Sequence, residues 1–248
     1  MSEILVEKSE NGVAEIILNR PEVHNAMDEK LVHAFTDALV KLECDDNVRI
    51  ICLKGTGKNF CAGADLNWMK RMMDAAHEEN VQDAKNLAFL LEKLHHSKKP
   101  TIAIVQGAAY GGGAGLVAAC DIAIATPDAR FCFPEVKLGL VPAIISPYVI
   151  SAIGERQAKR YFLTGEVFDA KRAHEIGLIH EVDGVGGKIV STLLENSVNA
   201  MTIVQKLFLG NEKLPELLAE IRTTEDVKNR LGEFLKKKSA IKVKVPKK

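Results

Sequence analysis

Three short stretches hold residue types that can do chemistry together. Phe133-Pro134-Glu135-Val136 sets one carboxylate among apolar neighbours, directly after a proline. Apolar surroundings raise a carboxyl pKa and suit it to acid or base work near neutrality. The same Glu135 also reads as a cap partner in the first turn of a helix. Gly107 to Gly115 is a glycine-rich run between a strand pattern and an apolar helix pattern. Glycines let backbone N–H groups approach a ligand, and a helix start carries a positive pole; tight strand–helix packing explains the run equally well. Asn59 to Leu66 is a second junction of small residues ahead of a helix. Two such junctions aimed at one oxygen would form an oxyanion hole.

Other chemistries are poorly served. The dinucleotide fingerprint GxGxxG needs Gly where Leu116 stands, and a P-loop needs Lys where Gly113 stands. No G-x-S-x-G or HExxH occurs, and the seven His show no metal-ligand spacing. No metal site is expected.

These stretches need a scaffold of strands and helices in alternation. Ile4–Lys8 and Val13–Leu18 are β-rich runs around Glu10-Asn11-Gly12, a hairpin signal. Asp28 caps a helix with apolar residues at 31, 35, 38, 39 and 42. Val48–Leu53, Thr101–Val105, Ile122–Ala125 and Arg130–Phe133 read as strands. Helices are expected from about Leu66, from Asn80 to His96, and from the end of the glycine run to Ala119. After Pro142 the chain turns mostly helical, apart from a strand at Leu178–Val182. The fold class is therefore α/β, with a core domain over 1–190 and a helical region with a basic tail over 191–248.

The chain has 248 residues, with 33 basic and 33 acidic side chains. Its neutrality argues against a nucleic-acid binder. It is unevenly built: the segment from Lys236 to Lys248 holds seven Lys and no acid, leaving 26 basic against 33 acidic residues before it. That tail reads as a frayed end or as an attractor of phosphate. Five Cys without a CxxC pair read as reduced thiols, mostly core filler. No signal-peptide pattern and no apolar run of membrane length is seen, so a cytoplasmic protein without a membrane partner is expected.

In order and spacing, five segments together resemble the crotonase superfamily of enoyl-CoA hydratases and isomerases. They are Asn19-Arg20-Pro21…Asn25-Ala26-Met27, Phe60 to Leu66, Gly107…Gly113, Cys120-Asp121-Ile122-Ala123, and Phe133-Pro134-Glu135…Leu138 to Pro142. The resemblance implies a spiral of ββα units with a C-terminal helical trimerisation region. It implies a homotrimer or hexamer acting on an acyl-CoA thioester, with no cofactor beyond the CoA of the substrate. It places the N–H groups of Ala64 and Gly112 at the thioester oxygen and makes Glu135 the acid/base. Ala62, Ala64, Asp65, Leu66, Asn67, Gly112, Gly115 and Ala143 fall along the substrate and CoA path.

The chain departs from the family pattern at Gly115 and in the turn after Pro142, where Ala143-Ile144-Ile145-Ser146-Pro147-Tyr148 replaces a Gly-rich segment. Hydratases of the family carry a second glutamate two residues after the triple glycine, and here that residue is Gly115. Ser146 or Tyr148 would then help Glu135 handle water. A lone glutamate suffices for double-bond isomerisation, which favours a Δ3,Δ2-enoyl-CoA isomerase. Against this, Ala64-Asp65-Leu66-Asn67-Trp68-Met69-Lys70 and Pro142…Ile145-Ser146-Pro147-Tyr148 look like the methylglutaconyl-CoA hydratase group. Their substrates carry a second carboxylate, for which Lys70, Arg71 and Lys137 are the candidate partners. The first expectation is a hydratase, with the isomerase as alternative. A non-catalytic acyl-CoA-binding member is the alternative of another class.

Overall fold

The computed structural model describes residues 2–183, 186–208, 210 and 213–243, with side chains up to 236. The chain begins with the antiparallel pair β1 (Ile4–Lys8) and β2 (Val13–Leu18). Next come α1 (Glu29–Glu43), β3 (Ile50–Gly55), α2 (Leu66–Asp74) and α3 (His77–His95). They lead to β4 (Thr101–Val105), β5 (Ala108–Tyr110), α4 (Gly112–Ala119), β6 (Ile122–Ala125) and β7 (Arg130–Cys132). A 3-10 turn over Glu135–Leu138 precedes α5 (Ser146–Thr164), which is broken at Gly154. The remainder is β8 (Phe168–Asp169), α6 (Ala170–Glu175), β9 (Glu181–Val182), α7 (Gly187–Glu195), α8 (Val198–Leu207), α9 (Leu214–Arg222) and α10 (Glu225–Val243).

Two sheets make the spiral. One has the order β1-β2-β3-β4-β6-β9 and is parallel from β2 onward; the other has the order β5-β7-β8. Single bridges, Met27 to Ala64 and Cys61 to Ala109, extend the second layer back toward α1. Each turn therefore lays a strand in the first sheet, a strand or bridge in the second, and then a helix. Strand side chains alternate between faces. Ile51 and Leu53 enter the main core with Phe35, Leu39, Leu91 and Leu116, while Ile50 and Cys52 face Ile189, Val190, Leu193 and Leu194 of α7. The division expected at 190 thus falls inside α7, whose residues on both sides of that point cover one sheet face.

Asp28 caps α1 by accepting from the Leu31 N–H at 2.9 Å. Four of the five Cys are buried and all five are free. Burial pushes the Cys52 and Cys61 thiols up to about 12, which keeps them protonated and inert. Two strands escape the sequence reading. Residues 108–110 fall inside the glycine-rich run yet form β5, and 168–169 form β8. The strand expected at Leu178–Val182 is only the pair Glu181–Val182. The Lys-rich tail is described as far as Lys236, which is exposed, and then as helical backbone to 243; residues 244–248 lie outside the described residues. Among the described residues, no helix is long and apolar enough to cross a membrane.

Candidate active site

α4 is small and apolar on every side, and it is buried from Gly113 to Val117. Such a helix fits only at the centre of a fold. Its first residue is Gly112, whose N–H has no intrahelical acceptor. The residue before it, Gly111, adopts φ 49° and ψ −120°, a conformation open in practice to glycine. A Cβ there would also stand 3.1 Å from Glu135 Oε1. The glycine therefore both turns the chain into α4 and leaves room for the carboxylate.

The second donor comes from the loop ahead of α2. Met27 N–H donates to Gly63 O at 2.7 Å, and Asp65 N–H donates to Met27 O at 2.8 Å. Residues 63 and 65 thus face Met27, and the Ala64 N–H between them points the other way. Asp65 accepts from the Asn67 and Trp68 N–H groups and caps α2. Burial pushes its carboxyl up, but those two donors and the Arg20 guanidinium outweigh burial and hold it below the usual range.

Arg20 ties this region together. It pairs with Glu3 at 2.9 Å and with Asp28 and Asp65 at 3.1 Å each, and it donates to Ala26 O at 2.5 Å. It therefore joins the caps of α1 and α2 across Met27. Asn25, fully buried at φ 56°, accepts from Arg20 N–H and donates to Thr56 O and Asn59 O, each at 2.8 Å. The Asn-Arg-Pro…Asn-Ala segment is thus a clamp on the donor loop, a role that its spacing alone did not disclose. Arg20→Met leaves three carboxylates without their shared cation and should lower stability by about 3 kcal/mol. Arg20→Lys should recover little, since an ammonium lacks the planar fork. Denaturant unfolding of both variants checks this.

Ala64, Gly112 and Glu135 meet in one cavity of about 170 Å³. Met27, Trp68, Leu87, Ile145 and the 141–144 segment complete its wall. Glu135 is its one ionisable side chain among the described residues. Glu135 Oε2 is buried without a hydrogen-bond partner. Burial pushes the carboxyl above the usual range, offset only in part by a hydrogen bond from its own backbone N–H. Two free N–H donors and one stranded carboxyl can stabilise an oxyanion and move a proton beside it.

The other expected residues divide. Ala143 lines the cavity. Ala62 donates its N–H to His24 O, Asp65 is taken up as a cap, and Leu66 and Asn67 are exposed on the first turn of α2. Gly115 does not line the cavity. A Cβ there would overlap Ile145 Cγ2 and stand 2.8 Å from Ile145 Cβ, so Ile145 fills the place of a second carboxylate. Ser146 Oγ donates to Ala143 O at 2.9 Å. Tyr148 lines a separate groove of about 910 Å³ between α8 and the core, edge-on to His95. Neither reaches Glu135. Arg71 is held on both oxygens of Glu29, the Lys137 stem lies over Gly165, and Lys70 is exposed. None of these three cations lines the cavity. Trp68, Leu87 and Ile145 were not expected as site residues; Trp68 and Ile145 stood in the sequence only as parts of longer motifs.

Known proteins agree with this geometry. The enoyl-CoA hydratase/isomerase family matches residues 8–222. A solved structure of a candidate enoyl-CoA hydratase/isomerase (crotonase) from Legionella pneumophila is 43% identical with a TM-score of 0.88, covering 96% of this chain and 97% of that one. An enoyl-CoA hydratase structure from Shewanella pealeana is 40% identical with a TM-score of 0.89, covering 95% and 94%. A trans-2-decenoyl-[acyl-carrier-protein] isomerase from Streptococcus mutans is 28% identical over 92% of this chain and 94% of its own. With its core inside the family's span and its length matched nearly end to end, this chain belongs to the enoyl-CoA hydratase/isomerase family, the crotonases.

Proposed function

We propose that the chain hydrates a 2-enoyl-CoA, with Glu135 as the one protein acid/base. The observation that carries this reading is the buried, unpartnered Glu135 Oε2 in the same cavity as the Ala64 and Gly112 donors. The thioester oxygen accepts from both N–H groups. Glu135, ionised, takes a proton from water as the water oxygen bonds to C3. The C2=C3 electron pair moves toward the thioester oxygen, and the two donors stabilise that enolate. Glu135 then returns the proton to C2, and the thioester carbonyl re-forms. No electron acceptor or cofactor beyond the CoA of the substrate is needed.

The substrate we favour has a short, branched acyl group with a second carboxylate, of the 3-methylglutaconyl type. Support comes from the likeness of the 64–70 and 142–148 segments to that hydratase group. Among the described residues, the cavity wall supplies no cation for that carboxylate. The positive pole at the start of α5, beside Ala143 and Ile144, is available to it. We also propose assembly as a trimer or hexamer. Leu218, Leu231 and Phe234 on α9 and α10 are about half exposed in the single chain, and burying such residues drives association. Sedimentation measures the mass.

A second reading has its own observation. Ile145 fills the Gly115 side of the cavity, so no second carboxylate holds water, and one base can carry a proton from C2 to C4 of a 3-enoyl-CoA. Turnover of crotonyl-CoA, 3-methylglutaconyl-CoA and 3-hexenoyl-CoA in ¹⁸O-water separates the two. Hydration gives a product heavier by one labelled water, with the methylglutaconyl thioester preferred. Products of unchanged mass would replace the hydratase with the isomerase.

A further inference from the structure

We infer that Trp68 is the end wall of an acyl-length gauge. The cavity admits about six acyl carbons, counted from the thioester carbonyl, and turns away longer straight chains. This rests on the acyl-CoA reading above. The lining residues order themselves from mouth to floor by exposure. Val141 is 74% exposed, whereas Trp68 is 6%, Ile145 3% and Met27 1% exposed. Two of the three floor residues are spoken for by α4: Met27 lies against Gly112 and Ile145 against Gly115. The indole closes the remaining side, next to Leu87 of α3. The volume of about 170 Å³ is close to that of a cavity of roughly 150 Å³ that holds benzene, a six-carbon body.

A wall limits length only if it cannot swing away, and this one is fixed at several points. Trp68 N–H donates to Asp65 Oδ1 at 3.1 Å, and its ring Nε1–H donates to Asp83 Oδ1 on α3 at 3.1 Å. Asp65 is held in turn by Arg20. Arg71 joins α2 to Glu29 of α1. At the far end of α2, Asn80 Nδ2 donates to Met72 O at 2.9 Å and to Ala75 O at 3.3 Å. Both ends of α2 and the ring itself are therefore tied to neighbouring helices.

Trp68 is also the only tryptophan in the chain, so its fluorescence reports directly on the cavity. Saturated acyl-CoA thioesters from acetyl to decanoyl make suitable probes, because they undergo neither hydration nor isomerisation. With the native protein, fluorescence and calorimetric titrations should show affinity tightening about fourfold per methylene up to hexanoyl-CoA. Affinity should then fall about tenfold by decanoyl-CoA. Trp68→Ala, read by calorimetry, should keep tightening through octanoyl-CoA. Trp68→Phe, which keeps most of the bulk and loses the Asp83 bond, should retain a cut-off near the native one, and Trp68→Leu serves if the alanine variant does not fold. Native affinity that rises without a break to decanoyl-CoA would overturn the gauge, as would an unchanged cut-off in the truncated variants. Absence of both heat and a fluorescence change with every acyl-CoA tried would overturn the acyl-CoA reading itself, which is a different signature.

Discussion

Glu135→Gln should lower enoyl-CoA turnover by about 10²- to 10⁴-fold while leaving the affinity for a saturated acyl-CoA nearly unchanged. The amide keeps the shape of the side chain but can neither take nor give a proton. Nothing else in the cavity wall can replace it, because Glu135 is the one ionisable side chain lining the cavity among the described residues. Binding should survive, because the Ala64 and Gly112 donors are backbone groups that the substitution does not touch. Steady-state kinetics with parallel calorimetry checks both halves. Unimpaired turnover would remove Glu135 from the mechanism. Absent turnover in the native protein, with intact acyl-CoA binding, would make the chain a binding member of its family.

The burial that suits Glu135 to catalysis also acts on stability. Its carboxyl titrates above the usual range because burial disfavours the charged form. The folded state therefore holds this proton to higher pH than the unfolded state does. Its contribution is fully present below the ordinary carboxylate pKa and is lost as pH rises through the raised one. Above its raised pKa the native protein keeps a buried charge at a cost, and Glu135→Gln should melt no lower than the native protein there. The difference should shrink as pH falls toward about 4. The same displacement should move the acidic limb of the native pH–rate profile upward from the ordinary carboxylate range, since the ionised form starts the reaction.

Which parts of this site the sequence disclosed follows from the range of the interactions. The β1–β2 hairpin and the Asp28 cap are local: Gly12 turns at φ 91° and Asp28 reaches only to residue 31. Both were legible residue by residue. Ala64 and Gly112 were placed together only through a family likeness, because the Met27 bridge that turns the Ala64 N–H outward joins residues far apart in sequence. β5 was invisible for the same reason. Its ladder to β7 pairs Ala108 with Arg130, while its own residues sit in a glycine-rich run with no strand periodicity. Lys70, Arg71, Lys137, Ser146 and Tyr148 had suitable chemistry for the site. The side chains of Arg71, Lys137, Ser146 and Tyr148 were committed elsewhere by contacts, such as Arg71 on Glu29, that no spacing rule announces, and Lys70 is exposed outside the cavity.

The contact between Gly115 and Ile145 gives the second large prediction. Sequence alone suggests that Gly115→Glu restores the second carboxylate and improves hydration of simple enoyl-CoA substrates. The structure changes that expectation. The new Cβ would overlap Ile145 Cγ2, and Ile145 is 3% exposed, so it has nowhere to go. Overpacking and a buried charge together should cost about 3 kcal/mol or more, and the single variant should lose activity along with stability. Ile145→Ala alone opens space at a cost of about 2–5 kcal/mol. Combined, the two changes put the carboxylate where the isoleucine stood, facing the cavity that holds Glu135. The double variant should therefore be more stable than the sum of the single effects implies, a coupling that a double-mutant cycle measures. With water now held between two carboxyls, hydration of crotonyl-CoA should rise relative to double-bond migration. Its pH optimum should move upward, since each carboxylate disfavours ionisation of the other. Strict additivity of the stability changes would mean that Ile145 is not what excludes a side chain at 115. A stable double variant with no gain in hydration would mean that the missing carboxylate does not limit the reaction, and that Glu135 manages water alone.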